Sequence, residues 1–160
     1  MIIIQHEWYT KEQVRSERNK IFVFGDNLAR KGRGGQAAAC RDEPNTIGIV
    51  TKWDEKRNPG SYMYDTTLEI NKEIIMEGFN KVISKINSNV RGEPEPIIVF
   101  PADGFGTGLA NLASNAPETL QFITNVTAYI IKADQVNRLD KEVKAEANRL
   151  WPGGYFSYVR

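Results

Sequence analysis

The sequence predicts an α/β fold: a single three-layer domain with a parallel-rich mixed sheet between helices. Three short apolar runs carry this reading, residues 21–24 (Ile-Phe-Val-Phe), 46–50 (Thr-Ile-Gly-Ile-Val) and 97–100 (Ile-Ile-Val-Phe), each with the character of a buried strand. Segments with apolar residues at helical spacing alternate with them, so the sheet is covered on both faces. Glycine-rich turns follow the first and third runs, and in such sheets ligands bind beyond the carboxyl ends of the strands. Gly32, Gly34 and Gly35 with Gly104, Gly106 and Gly108 are therefore the expected working site.

Taken in order, residues 2–4 form a short apolar run at a sheet edge. Residues 10–19 are dense in charge and open with Thr-Lys-Glu-Gln, close to a capping box, which predicts a solvated helix. After the strand at 21–24 comes a stretch of turn chemistry, then a short helix of small side chains from Gln36 to Cys40. The strand at 46–50 leads into a long segment around Asn58-Pro59-Gly60 that has no periodicity and reads as a loop. Leu68, Ile70, Ile74, Ile75, Phe79, Val82, Ile83 and Ile86 then fall on one helical face, with Asp65, Thr66 and Thr67 offering an N-terminal cap. Prolines at 94 and 96 break the chain before the strand at 97–100. Pro117 suits the first turn of a further helix, whose face is Leu120, Ile123, Val126, Ile130 and Ile131. Residues 134–160 are expected as a C-terminal extension, helical and charged to about 150. An aromatic tail at 151–159 would cap the site, join the sheet edge or mediate a dimer.

Length and composition set limits. At 160 residues, 41% hydrophobic and 26% charged, the chain is an ordinary globular domain. Its formal charge of +1 argues against a nucleic-acid module, so any affinity for phosphate must come from local placement. One cysteine allows no intrachain disulfide. The opening Met-Ile-Ile-Ile has no basic flank of the signal-peptide kind, and no stretch approaches a membrane span, so a cytoplasmic location is expected. His6, the single histidine, has no cysteine or second histidine near it, so neither a metal site nor a serine triad is expected, and no cofactor.

The first turn runs Gly25-Asp26-Asn27, then Arg30, Lys31, Gly32, Arg33, Gly34, Gly35 and Gln36. Glycines let backbone amides converge on an anion, the helix that follows would add its N-terminal amides, and three cations stand nearby. Asp26 and Asn27 leave a buried strand, where they could bond a sugar hydroxyl or a base. The plain alternative is a turn with solvated cations. In the second turn, Asp103-Gly104-Phe105-Gly106-Thr107-Gly108, the backbone and the Thr107 hydroxyl suit a diphosphate. Phe105 either covers a ribose or base or packs inward. Asp103 either activates water or serves the turn. Thr51, Lys52 and Trp53 follow the second strand on the same edge, with Lys52 placed for a phosphate and Trp53 either stacking on a base or anchoring the loop. Cys40 reads as a buried filler.

Val99-Phe100-Pro101-Ala102 followed by Gly106-Thr107-Gly108-Leu109 resembles the diphosphate loop of macro domains. Phe24-Gly25-Asp26-Asn27-Leu28, the glycines after it and Ala37 to Ala39 are similar to the macro-domain stretch in which an asparagine precedes a glycine turn and a small-residue helix. Residues 21–122 look like uncharacterised bacterial and phage proteins of macro-domain-like type. The resemblance implies a small-molecule nucleotide ligand, ADP-ribose or a derivative, and either recognition or hydrolysis of ADP-ribosyl groups. It would set Asn27 at the distal ribose and the second turn around the diphosphate, with Asp103, Asp26 and Asn27 as candidate catalytic residues. A non-enzymatic sponge for a nucleotide signal would use the same loops. The second turn is also loosely similar to that of nucleotide-cleaving Rossmann-like proteins of the lysine-decarboxylase-like family, but it lacks their Gly-Gly pair and following glutamate.

Overall fold

The computed structural model describes residues 1–150; the aromatic tail lies outside the described residues. Met1–Thr127 forms one compact unit and the chain from Ala128 a second. The elements are β1 (Ile2–Gln5), α1 (Lys11–Ser16), β2 (Lys20–Asn27), α2 (Ala37–Cys40), β3 (Thr46–Lys52), α3 (Leu68–Asn87), β4 (Ile97–Pro101), α4 (Leu112–Asn115) and α5 (Pro117–Leu150). Two 3-10 turns, Pro59–Ser61 and Asp65–Thr67, precede α3.

The strands order as β1-β4-β2-β3. All three pairings are parallel, so the expected mixed component is absent among the described residues, apart from one antiparallel bridge between Lys52 and Tyr62. Side-chain alternation sorts the core into two layers. Phe22, Phe24 and Val99 face Tyr9, Val14 and the small residues Ala37, Ala39 and Cys40, so α1 and α2 cover one side. On the other side Phe105 stands edge-on to both Phe100 of β4 and Phe79 of α3, at 5.8 and 6.0 Å between centroids. Ile75 and Val82 of α3 are buried with Phe79, whereas Ile70, expected on the same apolar face, is 54% exposed.

Local chemistry explains the ends of these elements. Thr10 caps α1 as its sequence predicts, its hydroxyl accepting from the Gln13 amide at 3.0 Å. Asp65 does something the sequence did not reveal. It opens a 3-10 turn rather than α3, and its carboxylate accepts from the Glu118 and Thr119 amides (both 2.9 Å) and the Thr119 hydroxyl (2.8 Å), capping α5 from 53 residues away. Asn71 of α3, fully buried, donates to the same Thr119 hydroxyl oxygen (3.0 Å) and ties α3 to the start of α5.

Two features of this topology open a crevice. From β2 the chain passes through α2 to β3 on one side, then through α3 back to β4 on the other side of β2. The connections after β2 and β3 thus run in opposite directions along the sheet, a reversal of strand order of the kind that leaves room at the carboxyl ends of a parallel sheet. The β2–β4 pairing also stops at Phe22 and Val99, although both strands continue. The buried Tyr9 hydroxyl lies at that point, 3.0 Å from the Val23 carbonyl and 3.2 Å from the Val99 carbonyl, wedged between the strands. Burial pushes its phenol far above the usual tyrosine range.

Candidate functional site

A cleft of about 710 Å³ lies over the carboxyl ends of the strands, a size ordinary for small-molecule sites. Its lining includes both glycine turns, so the topology brings together what the sequence holds some seventy residues apart. The turns meet at two levels. On the floor, a Cβ placed on Gly25 would stand 4.0 Å from the Gly106 amide nitrogen and 3.8 Å from the Thr51 hydroxyl. At the rim, a Cβ on Gly34 would come within 2.7 Å of the Leu109 side chain.

The second turn is shaped by Gly106, whose φ is +81° and whose missing side chain makes room for Leu112. Among the described residues, none of the amides from Phe105 to Ala110 donates a hydrogen bond within the chain, while the flanking Gly104, Asn111 and Leu112 amides do. Unpaired amides gathered in a turn form a concavity suited to an anion. The Thr107 hydroxyl donates to the Asp103 carbonyl (3.0 Å), so its proton serves the turn and not a diphosphate. Phe105 is 2% exposed, packed between Phe79 and Phe100, and offers no face to a base or ribose. Burying its ring stabilises the turn, which is the inward alternative weighed from sequence. Asp103 lines the cleft with its side chain exposed.

The first turn is held by side chains. Arg41, just after α2, donates to both carboxylate oxygens of Asp26 (2.9 and 2.6 Å) and to the carbonyls of Gly32 and Lys31 (both 3.1 Å). Its guanidinium also sits 5.9 Å over the Phe24 ring. Gly48 leaves space for this pair, since a Cβ there would meet the Asp26 carboxylate at 2.9 Å. The Asn27 amide donates to the Lys31 carbonyl (2.7 Å) and its oxygen accepts from the Lys31 amide (3.3 Å). Asp26 and Asn27, expected to act on a sugar, are thus engaged in shaping the turn. The amides of Gly32, Arg33, Gly34, Gly35 and Gln36 have no acceptor among the described residues. The helix that follows spans only Ala37–Cys40, too short for the expected dipole contribution to count.

The flanks complete the cleft. Lys52 is 9% exposed, its ammonium donating to the Lys56 carbonyl (2.8 Å) and lying 4.6 Å over the Tyr62 ring. Burial pushes that ammonium below the usual lysine range. Thr51 is buried at the floor, while Arg33 is spent on an exposed pair with Asp42 (2.6 Å). Trp53 is not in the cleft lining; its backbone amide donates to the Ser61 carbonyl and its carbonyl accepts from the Ala29 amide. Sequence reasoning missed Trp8, Glu55 and Arg57 in the lining, and Arg41 as the clasp. Trp8 follows an edge strand at the same carboxyl end as the glycine turns, a signal that position alone carried.

Among the described residues, no three His, Cys, Asp or Glu side chains cluster to hold a metal ion, and no helix is long and apolar enough to cross a membrane. No curated protein and no solved structure matches the chain. A family model matches residues 4–126, nearly the whole first compact unit, and by that match the chain belongs to DUF7831, a family of unknown function.

Proposed function

We propose that the cleft binds ADP-ribose or a related nucleotide derivative, its diphosphate held by the backbone amides of the two glycine turns. The observation that carries this reading is that two runs of residues whose amides have no acceptor in the described chain, 32–36 and 105–110, line one cleft. Successive amides in one turn suit a phosphate, and two such turns on one cleft accord with a diphosphate. Lys31, Lys52 and Arg57 add positive charge in the lining of a chain whose net charge is only +1. A cytoplasmic site, where nucleotides are abundant, accords with a single buried cysteine.

Retention of the ligand is favoured over turnover by one observation. Asp26 and Asn27 already hold the turn, which leaves Asp103 as the candidate to activate water at the distal ribose. Calorimetry and thermal shift with ADP-ribose, NAD, AMP and a single-stranded oligonucleotide test the reading. Selective response to the diphosphate compounds is expected, lost in Gly106→Val, whose new side chain displaces Leu112. Chromatography of the ligand after incubation separates the two forms: an intact ligand marks a sponge, while turnover abolished by Asp103→Ala marks a hydrolase. Silence toward every diphosphate compound would sink both.

A further inference from the structure

The lining offers one large aromatic face that the diphosphate reading does not use. Trp8 is 62% exposed and belongs to the cleft wall. An indole left in water on an ordinary surface costs nothing to explain, but this one stands on backbone fixed from both sides. Before it, the Gln5 side chain donates to the Glu7 carbonyl (3.0 Å) and pairs with Gln13. After it, the Tyr9 amide donates to the Gln36 side-chain oxygen (3.1 Å), which joins this loop to the first glycine turn, and the buried Tyr9 hydroxyl reaches the Val23 and Val99 carbonyls of β2 and β4. The backbone that carries the indole is thereby held in place before any ligand arrives, which lowers the ordering cost of stacking on it.

The sheet order gives that platform a direction. The loop carrying Trp8 leaves β1, at one edge of β1-β4-β2-β3. The glycine turns leave β4 and β2 in the middle, and at the other edge Lys52 ends β3 and Glu55 and Arg57 follow it. Strands about 4.8 Å apart put roughly 14 Å between β1 and β3. Aromatic character is thus concentrated at one end, anion-binding amides in the centre, and charged hydrogen-bonding side chains at the other end.

We infer that Trp8 is the stacking platform for the base of a nucleoside diphosphate, which lies along the carboxyl edge of the sheet with its base at the β1 end and its distal group beside Lys52, Glu55 and Arg57. This rests on the diphosphate reading and adds the orientation and the base contact. Of the aromatic residues that the sequence offered for that contact, Phe105 is buried against Phe79 and Phe100 and Trp53 is not in the cleft lining, and Trp8 takes their place.

The test measures binding of ADP-ribose, ADP and inorganic pyrophosphate by calorimetry to the full chain and to Trp8→Ala and Trp8→Phe. The exposed position lets both variants fold, which their melting curves verify against the parent. Trp8→Ala is expected to weaken ADP-ribose and ADP about tenfold to a hundredfold, to leave pyrophosphate unchanged, and to be largely rescued by Trp8→Phe. Parental affinity of Trp8→Ala for ADP-ribose overturns the inference while the diphosphate reading stands. Equal weakening of pyrophosphate also overturns it, since the indole would then act on the turns and not on the base. If the parent binds pyrophosphate but neither nucleotide, the base platform is wrong and the cradle right; if it binds none of the three, both fall.

Discussion

Arg41 grips both carboxylate oxygens of Asp26, with the two side chains only 10% and 9% exposed. The same guanidinium reaches the carbonyls of Lys31 and Gly32, so one side chain joins the end of β2 to the tip of the first glycine turn. Removing one member of so enclosed a pair strands the other charge. Arg41→Ala should therefore cost roughly 3 kcal/mol in urea unfolding. Arg41→Lys keeps the charge but loses the fork geometry, and should recover part of the stability without recovering ligand affinity. A lysine variant that binds like the parent would show that the clasp does not shape the site.

Asp65 supplies a cap to a helix it does not belong to, and that makes it pH-sensitive. Burial pushes its carboxyl up, but the bonds from Glu118 and Thr119 outweigh this and hold it below the usual value. Its folded value thus lies below the unfolded one, near 3.9. The cap contributes fully above about pH 4, and its contribution is lost as pH falls through the folded value. Asp65→Ala should cost about 1 kcal/mol or more at pH 7, and the gap between variant and parent urea midpoints should narrow toward pH 3. A gap that stays constant over this range would remove the carboxylate from the account.

Phe105 holds the second turn from below. Phe105→Ala should destabilise the protein by about 3–5 kcal/mol, the cost of deleting a buried ring together with its edge contacts. Phe105→Leu fills most of the space and should keep nucleotide binding near the parental level, because no base stacks on this ring. Loss of binding in a well-folded leucine variant would return Phe105 to the list of ligand contacts.

Cys40 is fully buried, and burial, with Asp26 next in importance, pushes its thiol up to about 12. At pH 8 the native protein should react with a thiol-specific disulfide reagent orders of magnitude more slowly than the urea-unfolded chain. Rapid labelling of the folded form would mean that α2 opens readily and that the first glycine turn opens with it.

The strands and the long helices were legible because burial leaves a periodic trace. Phe22 and Phe24 alternate with Val23, and Ile75, Phe79 and Val82 recur at helical spacing. The glycine turns were legible as a site because both follow apolar strands. What escaped were contacts that depend on distance through space alone. Asp65 reads as a local cap, and nothing between it and Thr119 betrays that the two meet. Arg41 reads as a charge beside a cysteine, because its partner belongs to another strand. Phe105 reads equally as a ligand contact or an inward ring, because the rings that enclose it, Phe79 of α3 and Phe100 of β4, lie on other elements. Trp8 left no pattern, because a stacking face requires position and not periodicity.

Tyr9 has a consequence for how this cleft can change. Its hydroxyl bridges the Val23 and Val99 carbonyls where β2 and β4 part, so the strands that carry the two glycine turns are tied together by a residue that belongs to neither turn. Aperture and lining are therefore encoded at different places in the chain. Substitutions within the turns alter which groups the cleft presents, whereas a smaller or larger side chain at position 9 alters how far apart the two walls stand. Width and chemistry can drift independently, and a single scaffold of this kind can be retuned to ligands of different girth without rewriting the surfaces that hold them.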